Sequence, residues 1–161
     1  MNPPSFSEPT TIRKLTPPDL AEASRILRGL NPETPTEVIS ERLATLLSDH
    51  PHYHLFGAFV GDVLAGVCGG WVATKIWCGR YLEIDNLVVD PKHRSLGLGS
   101  QLILHLEAFG KAMECTVITL DSYAANRSSH RLYHRLGFEI WSFHFVKRLG
   151  DWKGNGDFAA S

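Results

Sequence analysis

Apolar residues along this chain change their spacing at intervals, and each change marks an element. Residues 1–10 carry Pro and Ser without an apolar rhythm, so a mobile N-terminal segment is expected there. "TIRKL" (residues 11–15) alternates like a strand. In "TPPDLAEASRILRGL" the prolines at 17 and 18 set a helix start, and Leu20, Ala23, Ile26 and Leu27 form a stripe at helical spacing. "NPETPTE" interrupts it, and a second helix resumes with Val38, Leu43, Leu46 and Leu47. "YHLFGAFV" and "VLAGVCGGWVA" flank the turn "GD" as a hairpin, and "YLEIDNLVV" is the next strand.

Leu98, Leu102, Leu106 and Phe109 then recur at helical spacing. "CTVITLDSY" reads as a strand, and "NRSSHRLYHRL" as a short helix closed by Gly137. "FEIWSFHFVKRL" reads as two closing strands, and residues 150–161 as a loose tail. The order β-α-α-β-β-β-α-β-α-β-β predicts one α/β domain over residues 11–149 with a mixed sheet.

Composition narrows the function more than the fold. Hydrophobic residues make up 43% of the 161, charged residues 20%, and the formal net charge is −1. That balance suits a soluble globular protein and offers no basic field for nucleic acid or an anionic membrane. No apolar run is long enough to span a bilayer, and the first residues have no signal-peptide core, so a cytoplasmic location is expected. Cys68, Cys78 and Cys115 have no paired spacing and read as reduced packing residues.

The candidate chemistry begins at "VVDPKHRSLGLGSQLI", where an arginine and two glycines stand at a helix start. Glycines let a ligand approach the backbone, and a helix start presents unpaired N–H groups that favour an anion. A dinucleotide fingerprint would need a third glycine where Leu102 stands. A Walker loop would need Lys and Ser/Thr where Ser100 and Gln101 stand.

With the strand before it, the stretch instead resembles motif A, R/Q-x-x-G-x-G/A, of the GCN5-related N-acetyltransferase (GNAT) superfamily. Arg94, Gly97 and Gly99 fall at its defining positions, and Ser95 stands where many members have glycine. Downstream, "NRSSHRLYHRLGF" is similar to the later motif N-x-x-A-x-x-x-Y-x-x-x-G-F through Asn126, Tyr133, Gly137 and Phe138, with Ser129 replacing the alanine.

The resemblance covers residues 11–149 and implies a mixed, mostly antiparallel sheet of six to seven strands with about four flanking helices. It implies acetyl-CoA as acyl donor and an amine as acceptor, with no metal, nucleic acid or membrane. The pyrophosphate would lie on Arg94, Ser95, Leu96, Gly97, Leu98 and Gly99, with Ser100 adding a hydroxyl. The pantetheine arm would pair with the backbone of Leu87, Val88 and Val89 and with Asn126. Tyr133 would protonate the departing sulfur. A homodimer is an expectation of the same kind, since homodimerisation is common in the superfamily.

Strand alternation puts Glu83 and Asp85 on one face. They are either a solvated face or a cleft, and an inner strand covered on both sides favours the cleft. Glu83 also stands at the spacing from Val89 of the catalytic glutamate in the histone-acetylating branch, with Asp85 in reserve. An alkylamine arrives largely protonated, its pKa being about 10.4, and a carboxylate can accept that proton directly or through water before the nitrogen attacks.

His50, His52 and His54 alternate in "HPHYH", but Pro51 argues against a metal site. Trp71 and Trp77 are packing residues or acceptor walls. The resulting expectation is direct acetyl transfer to a primary amine. A non-catalytic acyl-CoA sensor and an O-acetyltransferase are the alternatives.

Overall fold

The computed structural model describes residues 9–151. The outer stretches expected to be a mobile segment and a loose tail lie largely outside those residues. The strand and helix signals up to Gly137 appear where the spacing places them. β1 spans Thr10–Lys14, α1 Leu20–Leu27, α2 Thr36–Asp49, β2 Tyr53–Val60 and β3 Val63–Lys75. β4 spans Gly79–Val89, α3 Leu98–Ala112, β5 Val117–Leu120 and α4 Arg127–Arg135. Pro17–Asp19 forms a 3₁₀ turn into α1; its capping box ties Thr16 to Asp19, which also holds Arg13 through two hydrogen bonds.

The sheet runs β1-β2-β3-β4-β5 in chain order. Its first four strands are antiparallel and β5 lies parallel to β4. The two faces build separate cores, because strand alternation sends successive side chains to opposite sides. On one face Tyr53, Leu55, Phe59, Leu64 and Val67 pack under α1 and α2 through Ala23, Ile26, Leu27, Ile39 and Leu43. On the other, Phe56, Cys68, Val72, Leu82 and Ile84 pack under Leu98, Leu102, Ile103 and Leu106 of α3. α4 adds Leu132, Tyr133 and Leu136 to this second core.

The strand count corrects the expectation. The sheet has five strands among the described residues, not six to seven, because residues 138–149 form no strand. Their alternation is strand-like, but a strand exists only where a neighbour accepts its backbone hydrogen bonds. The helix count, four α-helices, agrees with expectation.

Candidate active site

The site grows out of β4. From Tyr81 to Ile84 this strand is held on both sides, by β3 and by β5. Beyond Ile84 the register with β5 stops. The cause is a bulge: Val67 pairs with Val88 and Gly69 with Asp85, so Asn86 and Leu87 both stand opposite Cys68. Asn86 takes a left-handed φ of 55° to make the turn. β4 and β5 therefore part, and among the described residues the backbone of residues 86–89 has no strand on its β5 side.

The chain then reverses into α3. Asp90 is buried, accepts a hydrogen bond from Lys92 N at 2.9 Å and pairs with Arg25 of α1, which anchors the exit of β4. The Arg25 hydrogen bond holds the Asp90 carboxyl below the usual carboxylate range. Ser95 (φ 69°) and Gly97 (φ 74°) both sit in the left-handed region, and Gly97 is the N-cap of α3. The first helical bond runs from Gln101 N to Gly97 O at 3.1 Å. The N–H groups of Leu98, Gly99 and Ser100 precede it, so the helix gives them no acceptor. They open on a cleft of about 290 Å³.

α4 closes the far side of this cleft. Arg131 and Arg135 line it, and Arg135 Nη2 donates to Ser100 Oγ at 3.4 Å. α4 packs against the start of α3 here: a Cβ on Gly99 would make ordinary contact with Leu132 Cδ2, at 3.6 Å. The expected residues Arg94, Ser95, Gly97, Leu98, Gly99 and Ser100 are thus brought together, with Val89 at the cleft wall. Leu96 is more than half exposed. Sequence reasoning missed Arg131 and Arg135; their signal was a shared α4 stripe with Ser128, at i, i+3 and i+7. Asn126 is placed at the start of α4, where its Oδ1 caps the helix by accepting from Ser129 N at 3.4 Å.

The two carboxylates share the α1/α2 face but not an environment. Asp85 Oδ2 accepts from Asn86 Nδ2 at 2.7 Å and from Trp71 Nε1 at 3.3 Å. Asn86 Nδ2 also donates to the Tyr53 hydroxyl at 3.2 Å. That hydroxyl occupies space only a glycine leaves: a Cβ on Gly69 would fall 2.0 Å from it. Burial pushes the Asp85 carboxyl above its usual value, against the pull of the Trp71 and Asn86 hydrogen bonds, and the charge of Asp121 adds to the rise. Glu83 is more open. It accepts from the Tyr81 hydroxyl at 3.2 Å and has Lys75 Nζ 3.9 Å away. In register with it on β5, the Thr119 hydroxyl is buried and has no hydrogen-bond partner.

Tyr133 lies on the opposite face, in the second core, with its ring centroid 6.1 Å from that of Phe138. Burial raises its pKa, opposed by the neighbouring Ser129, so the hydroxyl holds its proton at neutral pH. Cys68 lies in the same second core, its thiol pushed up by burial and by the Asp85 charge. Tyr133 feels the same sulfur. Asp85 and Tyr133 therefore lie on opposite faces of the sheet.

A larger cleft, about 650 Å³, lies beyond Trp71 and is lined by His50, His52 and Arg80. It has no helix start and is separate from the cradle at α3. Of the alternating histidines, His50 lies edge-on to Trp71 at 5.3 Å and His54 to Phe109 at 4.8 Å.

Comparison with known proteins agrees with this geometry. A curated relative, aminoalkylphosphonate N-acetyltransferase of Salmonella typhimurium, is 29% identical over 107 residues, 66% of this chain and 68% of its own. Glucosamine 6-phosphate N-acetyltransferase of Trypanosoma brucei brucei is 38% identical over 56 residues, 35% of this chain and 36% of its own. An aminoglycoside N-acetyltransferase solved with CoA superposes with a TM-score of 0.79 at 21% identity, covering 91% of this chain and 98% of that one. Residues 21–138, most of the domain, match the Acetyltransferase (GNAT) family. The chain belongs to that family and is an acyltransferase.

Proposed function

We propose that the protein transfers an acetyl group from acetyl-CoA directly to the primary amine of a small molecule. The observation that carries this reading is the parting of β4 from β5 at Asn86, which leads an unpaired backbone edge straight into the open N–H groups of α3. An extended arm can pair with Leu87–Val89 as an added strand. Its diphosphate then meets Leu98, Gly99 and Ser100, with Arg94, Arg131 and Arg135 supplying positive charge. Asn126, at the head of α4, faces the amides of the same arm. The acceptor class follows the relatives, whose names specify small-molecule substrates.

Acetyl-CoA supplies an acetyl carbon activated by a thioester. Asp85, its proton affinity raised by burial, takes a proton from the incoming ammonium, and Glu83 draws that cation toward the gap. The Val89 N–H polarises the acetyl carbonyl. As the amine nitrogen bonds the carbonyl carbon and the C–S bond breaks, Tyr133 gives its proton to the leaving sulfur. A second reading keeps Glu83 as the base, favoured by its spacing in the motif and its greater access.

Paired variants separate the two. With Asp85 as base, Asp85→Asn lowers kcat roughly 10²–10⁴-fold and leaves acetyl-CoA affinity unchanged, while Glu83→Gln acts mainly on the KM of the amine. The wild-type acid limb of the pH–rate profile should stand above the ordinary carboxylate range and disappear in Asp85→Asn. An acid limb that vanishes with Glu83→Gln and survives Asp85→Asn reverses the assignment.

A further inference from the structure

On the α1/α2 face of the sheet, a side chain of the protein itself imitates an amine acceptor. Lys75, the last residue of β3, carries a primary ammonium on a methylene stem, the same group that an incoming alkylamine brings. Its Nζ lies over the Tyr81 ring, 4.2 Å from the centroid, and 3.9 Å from Glu83 Oε2. The Tyr81 hydroxyl donates to that same Glu83 oxygen at 3.2 Å, so ring face and carboxylate are held as one unit. Tyr81 is buried, which fixes the position of the ring.

Strand pairing produces the arrangement. Ala73 stands opposite Tyr81, and Trp71 opposite Glu83. Lys75 shares their face by alternation, and the small Ala73 leaves room for its stem to reach both partners. A ring face attracts a cation through its quadrupole, and the carboxylate beside it adds charge. Lys75 is not held firmly. Its side chain is 42% exposed and that of Glu83 34%, and an exposed pair at this distance contributes little. An ammonium arriving from solution can replace Nζ.

Spacing supplies the second observation. Glu83 and Asp85 are two residues apart on one strand face, so about 6.6 Å separates them along β4. The nitrogens of a four-carbon α,ω-diamine are joined by five zigzag bonds of about 1.5 Å and span about 6 Å. Charge agrees with this match. Asp121 acts on Asp85, so three carboxylates stand around this end of the face. Lys75 and the His144 paired with Asp121 are the cations set against them. Once Nζ is displaced, that balance favours a dication over a single charge.

We propose that Tyr81 and Glu83 form a second ammonium subsite, that Lys75 fills it until the acceptor arrives, and that the acceptor is a diamine whose second cation displaces Lys75. The subsite rests on the reading of Asp85 as the base: the reacting nitrogen stands at Asp85 while the other is held at Glu83.

Calorimetric titration of putrescine and of n-butylamine into the full chain saturated with CoA tests this. Both present an amine on the same four-carbon chain, and only putrescine has the second ammonium. Putrescine should bind at least about tenfold more tightly. Glu83→Gln should erase that preference, and Lys75→Met should strengthen putrescine binding about threefold. Putrescine binding no better than n-butylamine, a preference that survives Glu83→Gln, or putrescine binding unchanged or weakened in Lys75→Met each overturns the proposal. Thiol release from acetyl-CoA, measured in parallel, separates this from the transfer reading. A Glu83-dependent preference for putrescine without acetylation of any amine would end that reading and uphold the subsite.

Discussion

The two halves of β4 belong to one continuous strand and have opposite tasks. Tyr81–Ile84 is paired on both sides, and Leu82 and Ile84 are buried in the second core. Asp85–Val89 is paired with β3 alone, around a bulge, and carries a carboxylate held in a largely apolar setting. One half holds the sheet together and the other exposes the backbone that binding needs. The lesson is that function begins at the residue where the hydrogen-bond ladder stops, and Asn86 is that residue.

If the halves divide in this way, substitutions beside them should separate stability from binding. The largest effect is expected at the cradle fed by the second half. Gly99→Val turns a branched side chain toward the helix start, and the affinity for acetyl-CoA should fall roughly 1,000-fold, about 4 kcal/mol. The fold should survive, because a Cβ there makes only ordinary contact with Leu132 and Val89. Calorimetric titration of the folded variant measures it; wild-type affinity would remove the cradle from the site.

The first half should respond in the opposite sense. Leu82 is fully buried, so Leu82→Ala should cost about 3 kcal/mol of stability, within the usual range for such truncations. Acetyl-CoA affinity should stay within about twofold in the remaining folded protein. Urea denaturation with parallel titration would show it. A variant stable as wild type but weak in binding would break the comparison.

A smaller effect is expected across the gap. Tyr133→Phe keeps the ring in the core and removes only the hydroxyl, so turnover should fall about 100-fold, about 2.7 kcal/mol, with acetyl-CoA binding retained. Binding and turnover falling together would make Tyr133 a packing residue only. Asp85 adds a stability signature of its own. Its folded-state pKa is raised, so the folded chain binds the extra proton between the ordinary and the raised value. Stability should therefore fall as pH rises through that interval, and Asp85→Asn should flatten that slope.

What the sequence revealed and what it concealed follow from the range of the forces involved. The turn at Gly97, the β2–β3 hairpin and the α3 stripe depend on local spacing and on φ, and they were readable in advance. The motif spacing also located the cradle from Arg94 to Ser100. Four things depended on distant partners. Alternation put Glu83 and Asp85 on one face, but only the packing of Trp71, Tyr53 and the bulge gave Asp85 its burial. Arg131 and Arg135 became cradle residues through the docking of α4 on α3. Residues 138–149 have the alternation of strands, yet no strand of the same sheet accepts their hydrogen bonds. Arg25, which anchors Asp90 from 65 positions away, left no local signal at all.

On the proposed function, the released half of β4 and the start of α3 receive acetyl-CoA. Amide hydrogen exchange of the wild-type chain with and without saturating acetyl-CoA tests it most directly. Amides of residues 86–89 and 98–100 should exchange quickly in the free protein and slow at least about tenfold on binding, while residues 81–84, already paired on both sides, should not change. Unchanged exchange at 86–89 and 98–100 under saturation, or protection appearing only around the cleft beyond Trp71, would contradict it.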